Sequence, residues 1–279
     1  YAIKKEKAGL TPNPCVICNK EIKFGLLLKK ALSLGAEYIA TGHYAKIMQE
    51  NDRHFIRKSA DTHKDQSYVL WGLSQECLSR SRFPLGGMTK PEVRQLAADL
   101  GYEELSKKAE SFEICFVPDN DYRGFLKRRN PGIEAELAGG SFVDQTGREI
   151  GKHSGYPFYT IGQRKGLGVA FGKPMFVTEI KPDTNTVVLG EVDDLIRNGM
   201  QVGGVNFQKY AKLPEAGLES VTKVRYKDAG TLSMLDQIGD KNVFVDFYAN
   251  VRGVAPGQSA VFYEGDDLIG GGIIQSSSK

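Results

Sequence analysis

Two cysteines three residues apart are the side chains of this sequence whose type and spacing best fit a chemical role. Cys15 and Cys18 follow Asn13 and Pro14, in a stretch where two prolines hold the chain extended just before a predicted helix. This placement sets Cys18 beside the amino-terminal end of that helix, where free N–H groups and the helix dipole favour a thiolate. The pattern predicts a reactive thiol, with a buried structural cysteine as the ordinary alternative.

The same spacing also fits half of a zinc site, because Cys-x-x-Cys is a common arrangement of zinc ligands. The sequence has no second pair of this kind, and only Cys77, Cys115 and scattered histidines could complete the set. A reactive thiol is therefore favoured over a metal. Cys115 lies in an apolar, strand-like run over 110–118. Taken alone, this run indicates that Cys115 is a core residue, and the residues around Cys77 indicate the same for Cys77.

The elements that would position these thiols follow an α/β pattern up to about residue 125. Apolar residues at helical spacing predict a helix over 21–34, and the segment 38–42 predicts a short buried strand. A capping box of Thr89 and Glu92 predicts a second helix. Helix followed by strand is the order of a parallel α/β sheet, whose ligands bind at the carboxyl ends of the strands.

Two polar motifs lie where such a ligand would bind. The first, over 41–44, ends the predicted strand, and the second, over 63–68, opens a predicted apolar helix over 69–73. Both offer N–H groups and polar side chains suited to phosphate or base contacts. Each motif also fits an ordinary turn or a solvated helix cap.

The residue pattern of the chain changes at about residue 125 and again at about residue 199. The middle stretch is rich in glycine, lysine and arginine, which fits either a polyanion-binding surface or a solvated hairpin; Tyr156, Phe158 and Tyr159 are its candidate stacking surfaces for bases. From residue 199 onward, alternating apolar segments are separated by glycine and proline. This pattern predicts a small antiparallel barrel.

The composition is that of a folded globular protein. Of 279 residues, 41% are hydrophobic and 25% charged, which excludes a disordered, collagen-like or coiled-coil chain. No apolar run reaches the length of a membrane span and no signal segment opens the chain, so we expect a cytoplasmic protein without a membrane partner. The four widely spaced cysteines indicate reduced thiols. A net charge of +3 is too small to indicate a nucleic-acid partner.

Eight segments in order along nearly the whole chain resemble the family of tRNA-specific 2-thiouridylases. They are TPNPCVICNKEIKFG, ATGHYAKI, HKDQSYVLWGL, FPLGGMTKPEVRQLA, SFEICFVP, GKHSGYPFYTIGQRKGLGV, VRY and PGQSAVFY. The resemblance implies an α/β plus β fold. It predicts an amino-terminally truncated, Rossmann-like parallel sheet of the ATP pyrophosphatase type with both catalytic cysteines in 1–125, a small basic tRNA-binding domain in 126–198 and a carboxy-terminal antiparallel β-barrel in 199–279.

The resemblance also implies a reaction. Family members use ATP, with Mg²⁺, to adenylate the 2-oxygen of the wobble uridine in tRNA, and replace that oxygen with sulfur from a cysteine persulfide. By position, Cys115 matches the persulfide-bearing cysteine. Cys18 matches the partner nucleophile that resolves the persulfide, which can leave a Cys18–Cys115 disulfide. The implied partners are tRNA and a cysteine desulfurase or sulfur-relay protein.

Further site residues follow from the resemblance alone. Asn13, Pro14 and Cys15 match the stretch that contacts the target base, and some relatives carry an aspartate proposed as an acid or base at the position of Cys15. Gly42 matches an ATP contact. The positions that match tRNA contacts are His43, Lys64, Asp65, Gln66, Arg225, Tyr226 and Gln258. No metal ligand is expected.

One departure and two alternatives accompany this resemblance. The family's phosphate loop, of the Ser-Gly-Gly-x-Asp-Ser type, is not found in these 279 residues, so we expect that this chain alone cannot adenylate uridine. An amidotransferase or synthetase of the argininosuccinate or GMP type would share the ATP-binding fold without needing a cysteine pair. A non-enzymatic RNA-binding or zinc-binding module would use the barrel and the Cys-x-x-Cys motif.

Overall fold

The computed structural model of the protein describes residues 1–108, 115–117, 119, 121–168 and 172–279. Its first region contains helices α1 (Ala2–Lys7), α2 (Pro14–Ile17), a π-helix (Cys18–Leu27) and α3 (Leu28–Ser33), then strands β1 (Ile39–Ala40), β2 (Ala45–Glu50) and β3 (Arg53–Lys58). A 3₁₀ turn (Ser67–Leu70), α4 (Gln75–Ser79), β4 (Ser81–Arg82), a second 3₁₀ turn (Pro84–Gly87), α5 (Lys90–Asp99) and α6 (Glu103–Lys107) follow.

The middle region contains α7 (Tyr122–Arg129), α8 (Ile133–Leu137), β5 (Gly140–Val143), β6 (Glu149–His153), β7 (Phe176–Lys181) and β8 (Thr186–Gly190), with 3₁₀ turns at Tyr156–Phe158, Pro182–Thr184 and Val192–Leu195. The last region contains β9 (Ile196–Phe207), β10 (Leu218–Lys223), β11 (Thr231–Ile238), β12 (Asn242–Arg252), β13 (Ser259–Glu264) and β14 (Asp267–Ser278). In the described parts of the chain, no helix is long and apolar enough to span a bilayer.

One continuous helix carries the Cys-x-x-Cys motif, and it begins earlier than predicted. The sequence-based start at residue 21 is wrong, because α2 begins at Pro14 and runs through the π-helix into α3. Asn13 caps it by accepting the N–H of Val16 at 3.4 Å, and Pro14 suits the first helical position since its nitrogen has no hydrogen to satisfy. Cys18 therefore lies one turn inside the helix.

A short parallel pair of strands follows this helix. Ile39 of β1 pairs with Ser81 of β4, so the parallel α/β arrangement is confirmed, although β1 has two residues where the sequence predicted five. The second predicted helix is also confirmed: α5 starts after Thr89, whose N–H donates to the Glu92 carboxylate at 2.6 Å. Its apolar stripe is not buried, and Leu100 is 64% exposed.

The predicted apolar helix over 69–73 is wrong: the structure has a 3₁₀ turn there. The carbonyls that a helix would use accept side-chain amides instead, because Gln208 donates to Leu70 O at 3.0 Å and Asn206 donates to Leu73 O at 2.9 Å. Hydrogen bonds from Asn206 in β9 and from Gln208, just after β9, thus take the place of the main-chain hydrogen bonds that a helix would form.

Strands β9 to β14 form a closed antiparallel barrel. Its strand order is β13-β10-β11-β12-β9-β14, and β14 pairs again with β13. Alternate side chains fill the interior, among them Val202, Leu235 and Val245, which have no exposed surface. The alternation had predicted a strand through Tyr226, but β10 ends at Lys223, because the Asp228 carboxylate accepts the N–H of Val224 at 3.0 Å and starts a turn.

The barrel shares its core with the first region. Tyr263 and Leu268 of the barrel lie in one hydrophobic cluster with Val16 and Phe24 of the cysteine-bearing helix. The β2–β3 hairpin also joins β14, where Arg57 pairs with Asp267 in the sheet and through its guanidinium at 3.1 Å.

The middle region has its own four-stranded sheet, in the order β6-β5-β8-β7. Tyr156, Phe158 and Tyr159 are buried in its core beside Phe142 and Leu189. The expectation that these three rings offer stacking surfaces for bases is therefore wrong, since their faces are covered by protein.

Candidate functional site

A cavity of about 750 Å³ opens where the first region meets the barrel. The first region contributes the turn after β1 and the loop before the 3₁₀ turn, and the barrel contributes the turn after β10. The cavity thereby brings together five of the residues singled out in the sequence: Gly42, Lys64, Asp65, Gln66 and Tyr226. These residues come from three separate segments of the chain and line the same cavity.

The cavity favours an anion. Its lining includes five lysines: Lys64, Lys90, Lys108, Lys223 and Lys227. The two carboxylates of the lining are engaged within the protein, because Asp65 accepts the hydroxyl of Ser67 at 2.6 Å and Asp228 accepts two main-chain N–H groups. Burial lowers the pKa of Lys223, as expected for a cation held away from water. Phosphate groups would complete this electrostatic balance.

Two aspartates hold the loop that presents Lys64. Asp61 accepts the N–H groups of Lys90 at 2.9 Å, His63 at 3.1 Å and Lys64 at 3.2 Å, and these bonds lower its pKa. Asp65 accepts the N–H of Ser59 at 3.0 Å. Sequence reasoning missed Asp61, although an aspartate that bonds the N–H two residues on is a common turn signal.

Gln66 and Tyr226 connect the walls of the cavity. The Gln66 side chain accepts the N–H of Tyr44 at 2.9 Å, and its main-chain N–H donates to Tyr44 O at 2.8 Å, which ties the loop to the turn containing Gly42. From the barrel, the Tyr226 hydroxyl donates to Asp65 O at 2.9 Å, and its ring packs edge-on against Tyr68.

His43 does not line the cavity. It is buried, and its Nδ1 lies 2.7 Å from the Thr41 hydroxyl, with Phe24 and Phe83 packed near its ring. Burial, helped by the positive charge of Lys23, lowers its pKa to about 4. The imidazole is therefore neutral at physiological pH.

Arg225 and Gln258 also lie outside the lining. Arg225 is exposed and donates to Arg252 O at 3.2 Å. Gln258 is half-buried, and its main chain bonds to Ala255 and Ile274.

Two other cysteines influence the ionisation of Cys15. Burial is the main cause that raises the pKa of Cys15, interactions with Cys115 and Cys18 raise it further, and the ammonium of Lys23 opposes them. Cys15 in turn raises the pKa of Tyr226, after burial and Asp65. Cys15 is thus an electrostatic neighbour of Cys18, Cys115 and the cavity wall.

All four cysteines are free thiols, and their surroundings differ. Cys115 is exposed and lies in a turn, so its surroundings do not match the core position that its apolar flanks indicated. Most of the run over 110–118 lies outside the described residues. Cys77 donates its thiol hydrogen to Phe24 O at 3.1 Å, which fits the structural role predicted for it. Among described side chains, no three His, Cys, Asp or Glu residues are grouped to hold a metal ion.

One further residue of this helix escaped sequence reasoning. Asn19 is 3% exposed, and its amide donates to Val69 O at 3.1 Å, so it anchors the cysteine-bearing helix to the segment that follows Gln66. The predicted helix began at residue 21, so Asn19 lay outside it and its burial could not be inferred from the helical pattern.

Comparison with known proteins gives matches along nearly the whole chain. Three family models match: a tRNA methyl transferase HUP domain over residues 1–119, a tRNA methyl transferase PRC-barrel domain over 125–191, and an aminomethyltransferase beta-barrel domain over 197–274. These ranges cover, in turn, the region with the cysteines, the four-stranded sheet and the closed barrel.

Curated relatives match over the same length. The tRNA-specific 2-thiouridylase MnmA of Cytophaga hutchinsonii is 56% identical over 271 residues, covering 97% of this chain and 73% of the relative. The protein of the same name from Amoebophilus asiaticus is 57% identical, covering 98% of this chain and 72% of its own length. That of Carboxydothermus hydrogenoformans is 47% identical, with 99% and 74% covered.

Proposed function

Since the chain belongs to the family of tRNA-specific 2-thiouridylases, it is a tRNA sulfurtransferase, and we propose that sulfur passes through Cys115 and Cys18 beside the cavity described above. The reaction converts the wobble uridine of tRNA into 2-thiouridine at the expense of ATP. Membership in this family replaces the two alternatives considered from the sequence, an ATP-dependent amidotransferase or synthetase and a non-enzymatic binding module.

The observation that supports the proposal is the link of both cysteines to Cys15. Cys115 is distant from Cys18 in sequence, yet both act electrostatically on Cys15. A sulfur-transfer pair requires two thiols that can approach each other. Because Cys115 is exposed, a donor protein such as a cysteine desulfurase or sulfur-relay protein can reach it to load a persulfide.

The two cysteines divide the chemistry. The terminal sulfur of the Cys115 persulfide attacks C2 of the activated uridine, and the activated oxygen leaves. The Cys18 thiolate then attacks Sγ of Cys115, which releases the sulfur with its electron pair to the tRNA and forms the Cys18–Cys115 disulfide. The sulfane sulfur is reduced in this step and the cysteine pair is oxidised, so the electrons balance.

The volume and the lysines of the cavity favour binding of the nucleotide and of the phosphates of the substrate. ATP, bound with Mg²⁺, supplies the adenylyl group that makes the uridine oxygen a leaving group. Gly42 lies in the cavity wall without a side chain, so a ligand can approach its main chain. We assign the ATP contact to Gly42.

We assign the tRNA contacts in two groups. Lys64, Gln66 and Tyr226 line the cavity and face the substrate directly, while Asp65 acts through the loop it holds. Arg225 is exposed next to Tyr226, where it can meet a phosphate. His43, which is buried, and Gln258, which is half-buried, do not line the cavity.

The contacts to the target base come from the start of the helix. Asn13, Pro14 and Cys15 form its cap and first turn, and Cys15 neighbours Tyr226. A uridine bound between this turn and the cavity wall would therefore lie beside Cys15 and one helical turn from Cys18.

The test uses the complete gene product, expressed in a bacterial strain that lacks 2-thiouridine. Mass spectrometry of its tRNA measures the modification. Cys18→Ser and Cys115→Ser should abolish 2-thiouridine, and Cys77→Ser, the matched control, should leave it at the wild-type level. Full modification with both Cys18→Ser and Cys115→Ser would remove the proposed thiol pair.

A further inference from the structure

Helix α7 of the middle region holds the segment that carries Cys115. Phe116, the next residue along the chain, packs its ring against Phe125 of α7, with the ring centroids 5.2 Å apart. This separation is in the range in which tilted aromatic rings attract each other beyond the area that they bury. Val117 follows and is 3% exposed. Cys115 itself is exposed, but the residues directly after it are anchored.

The segment meets α7 a second time at Asp119. Its carboxylate accepts a hydrogen bond from Arg128 of α7 at 3.0 Å and another from the N–H of Asp121, the residue that caps α7, at 3.2 Å. Both members of this ion pair are about half exposed, so water screens the attraction between them. The aromatic contact of Phe125 is therefore the stronger of the two anchors.

Phe125 is a fixed support for this contact because α7 is embedded in the middle region. Leu126 has no exposed surface and lies in the same hydrophobic core as Phe142, and the side chains of Tyr122 and Phe125 pack against that core. Tyr122 and Phe125 are three residues apart, so they share one face of the helix, and their rings stack with centroids 6.1 Å apart.

The same face of α7 also holds the chain that leads to Cys18. The Tyr122 hydroxyl donates to the buried carboxyl of Glu6 in α1 at 3.1 Å. The chain then reaches Asn13, which caps the helix that carries Cys18. Neighbouring positions on α7 thus hold the segments that lead to the two cysteines of the proposed sulfur-transfer pair.

We propose that Phe125 is a positioning residue for sulfur transfer, because its ring holds Phe116 and thereby keeps Cys115 within reach of Cys18 and the activated uridine. This inference rests on the proposed function. Phe125 acts through Phe116 and not on the reacting atoms. A displacement of about 1 Å in the position of a reacting group can cost about a hundredfold in rate.

This role predicts that only some steps depend on Phe125. Adenylation of the uridine and binding of tRNA use the cavity between the first region and the barrel, so a change on α7 should leave both unchanged. The meeting of Cys115 with Cys18, and the passage of sulfur to the uridine, should slow down.

The first measurement is the rate at which the two thiols meet. The complete gene product is reduced and then treated with diamide, which accepts two electrons and two protons as Cys18 and Cys115 join. Samples are blocked with an alkylating reagent over time and mapped by peptide mass spectrometry. Phe125→Ala should form the disulfide at least about tenfold more slowly than wild type.

Two variants separate positioning from general stability. Phe125→Tyr keeps the ring and should match wild type. Ile150→Ala removes packing from the same core at a residue of β6, and it should also match wild type. An equal loss of rate in Ile150→Ala and Phe125→Ala would refute a positioning role for Phe125.

The second measurement is single-turnover thiolation. Cys115 is loaded with a persulfide by a cysteine desulfurase, and tRNA, ATP and Mg²⁺ are then added. Phe125→Ala should slow the formation of 2-thiouridine at least about tenfold, while pyrophosphate release and the Kd for tRNA stay at the wild-type values. The double variant Phe116→Ala/Phe125→Ala should be no slower than Phe125→Ala, because both changes remove one contact.

The outcomes distinguish this inference from the proposed function. Equal rates of thiolation in wild type and Phe125→Ala would refute the positioning role and leave the sulfur-transfer pair in place. A fall in pyrophosphate release or in tRNA affinity that matches the fall in thiolation would also refute it. If Cys18→Ser and Cys115→Ser keep the full rate of thiolation, the pair itself is refuted.

Discussion

The hydroxyl of Tyr226 donates a hydrogen bond of 2.9 Å to the main-chain oxygen of Asp65. Tyr226 belongs to the barrel and Asp65 to the first region, so this bond fixes the loop that carries Lys64 against the barrel. The shape of the proposed tRNA surface thus depends on a contact between two distant parts of the chain.

Tyr226→Phe should weaken tRNA binding. Removing the hydroxyl leaves the ring in place and costs about 1 kcal/mol, or roughly fivefold in Kd, which is typical of one neutral hydrogen bond. Filter binding with unmodified tRNA measures the effect. Tyr248→Phe, on an exposed barrel tyrosine, is the control and should bind as wild type. Equal affinities for all three proteins would show that the bond does not position the loop.

Gln208→Leu should destabilise the protein strongly. The Gln208 side chain is fully buried, accepts the N–H of Ile56 at 3.1 Å and donates to the carbonyl of Leu70 at 3.0 Å. Leucine would remove the acceptor of the Ile56 N–H, at about 1–3 kcal/mol, and would leave the Leu70 carbonyl with only the N–H of Leu73 at 3.2 Å. Urea denaturation measures the free energy of unfolding. The exposed Gln201→Leu should change it by less than about 0.5 kcal/mol, and an equally small change at Gln208 would contradict the prediction.

Glu6 should make the protein less stable as the pH rises. Its buried carboxyl accepts the Tyr122 hydroxyl at 3.1 Å, and burial raises its pKa from 4.5 to about 8. Because the folded pKa is the higher one, the stabilising contribution is complete below about pH 4.5 and is lost as the pH rises towards 8.

Glu6→Gln should remove this pH dependence. Urea denaturation at pH 5 and pH 9 gives the comparison: the variant should gain stability relative to wild type at the higher pH. Glu136→Gln, at an exposed partner of Lys7, is the control. If the difference in free energy of unfolding between wild type and Glu6→Gln is the same at both pH values, the pKa of Glu6 is not raised.

Lys23→Met should raise the pKa of two groups at once. The ammonium favours the thiolate of Cys15 and disfavours the protonated ring of His43, so its removal raises both values. Alkylation of Cys15 followed by mass spectrometry should shift to higher pH, and the His43 signals in NMR should titrate at higher pH. Lys29→Met, at an exposed position of the same helix, should shift neither profile. Unchanged profiles in Lys23→Met would show that Lys23 does not influence the pKa of Cys15 or His43.

Structural features that depend on interactions between residues close in sequence were predicted from local sequence patterns. The capping box of Thr89 and Glu92 was found in the sequence because its partners are three residues apart, and the barrel strands were found because alternation records their buried face. The helix start was placed too late, although Asn13 followed by Pro14 is itself a start signal.

Long-range interactions explain what the sequence could not show. The segment after Gln66 is not a helix because amides from Gln208 and Asn206 occupy its carbonyls, and no local pattern records those partners. Spacing likewise could not bring Cys115 to Cys15 and Cys18. That pairing came from family resemblance, and the charges around Cys15 support it.

The core shared by the cysteine-bearing helix and the barrel bears on how the chain folds during synthesis. Val16 and Phe24 emerge from the ribosome more than two hundred residues before Tyr263 of β13 and Leu268 of β14, which belong to the same hydrophobic cluster. The helix that carries Cys15 and Cys18 can first pack against apolar residues of its own region, and it completes its hydrophobic core only when these strands arrive. Final packing of this helix therefore depends on closure of the barrel.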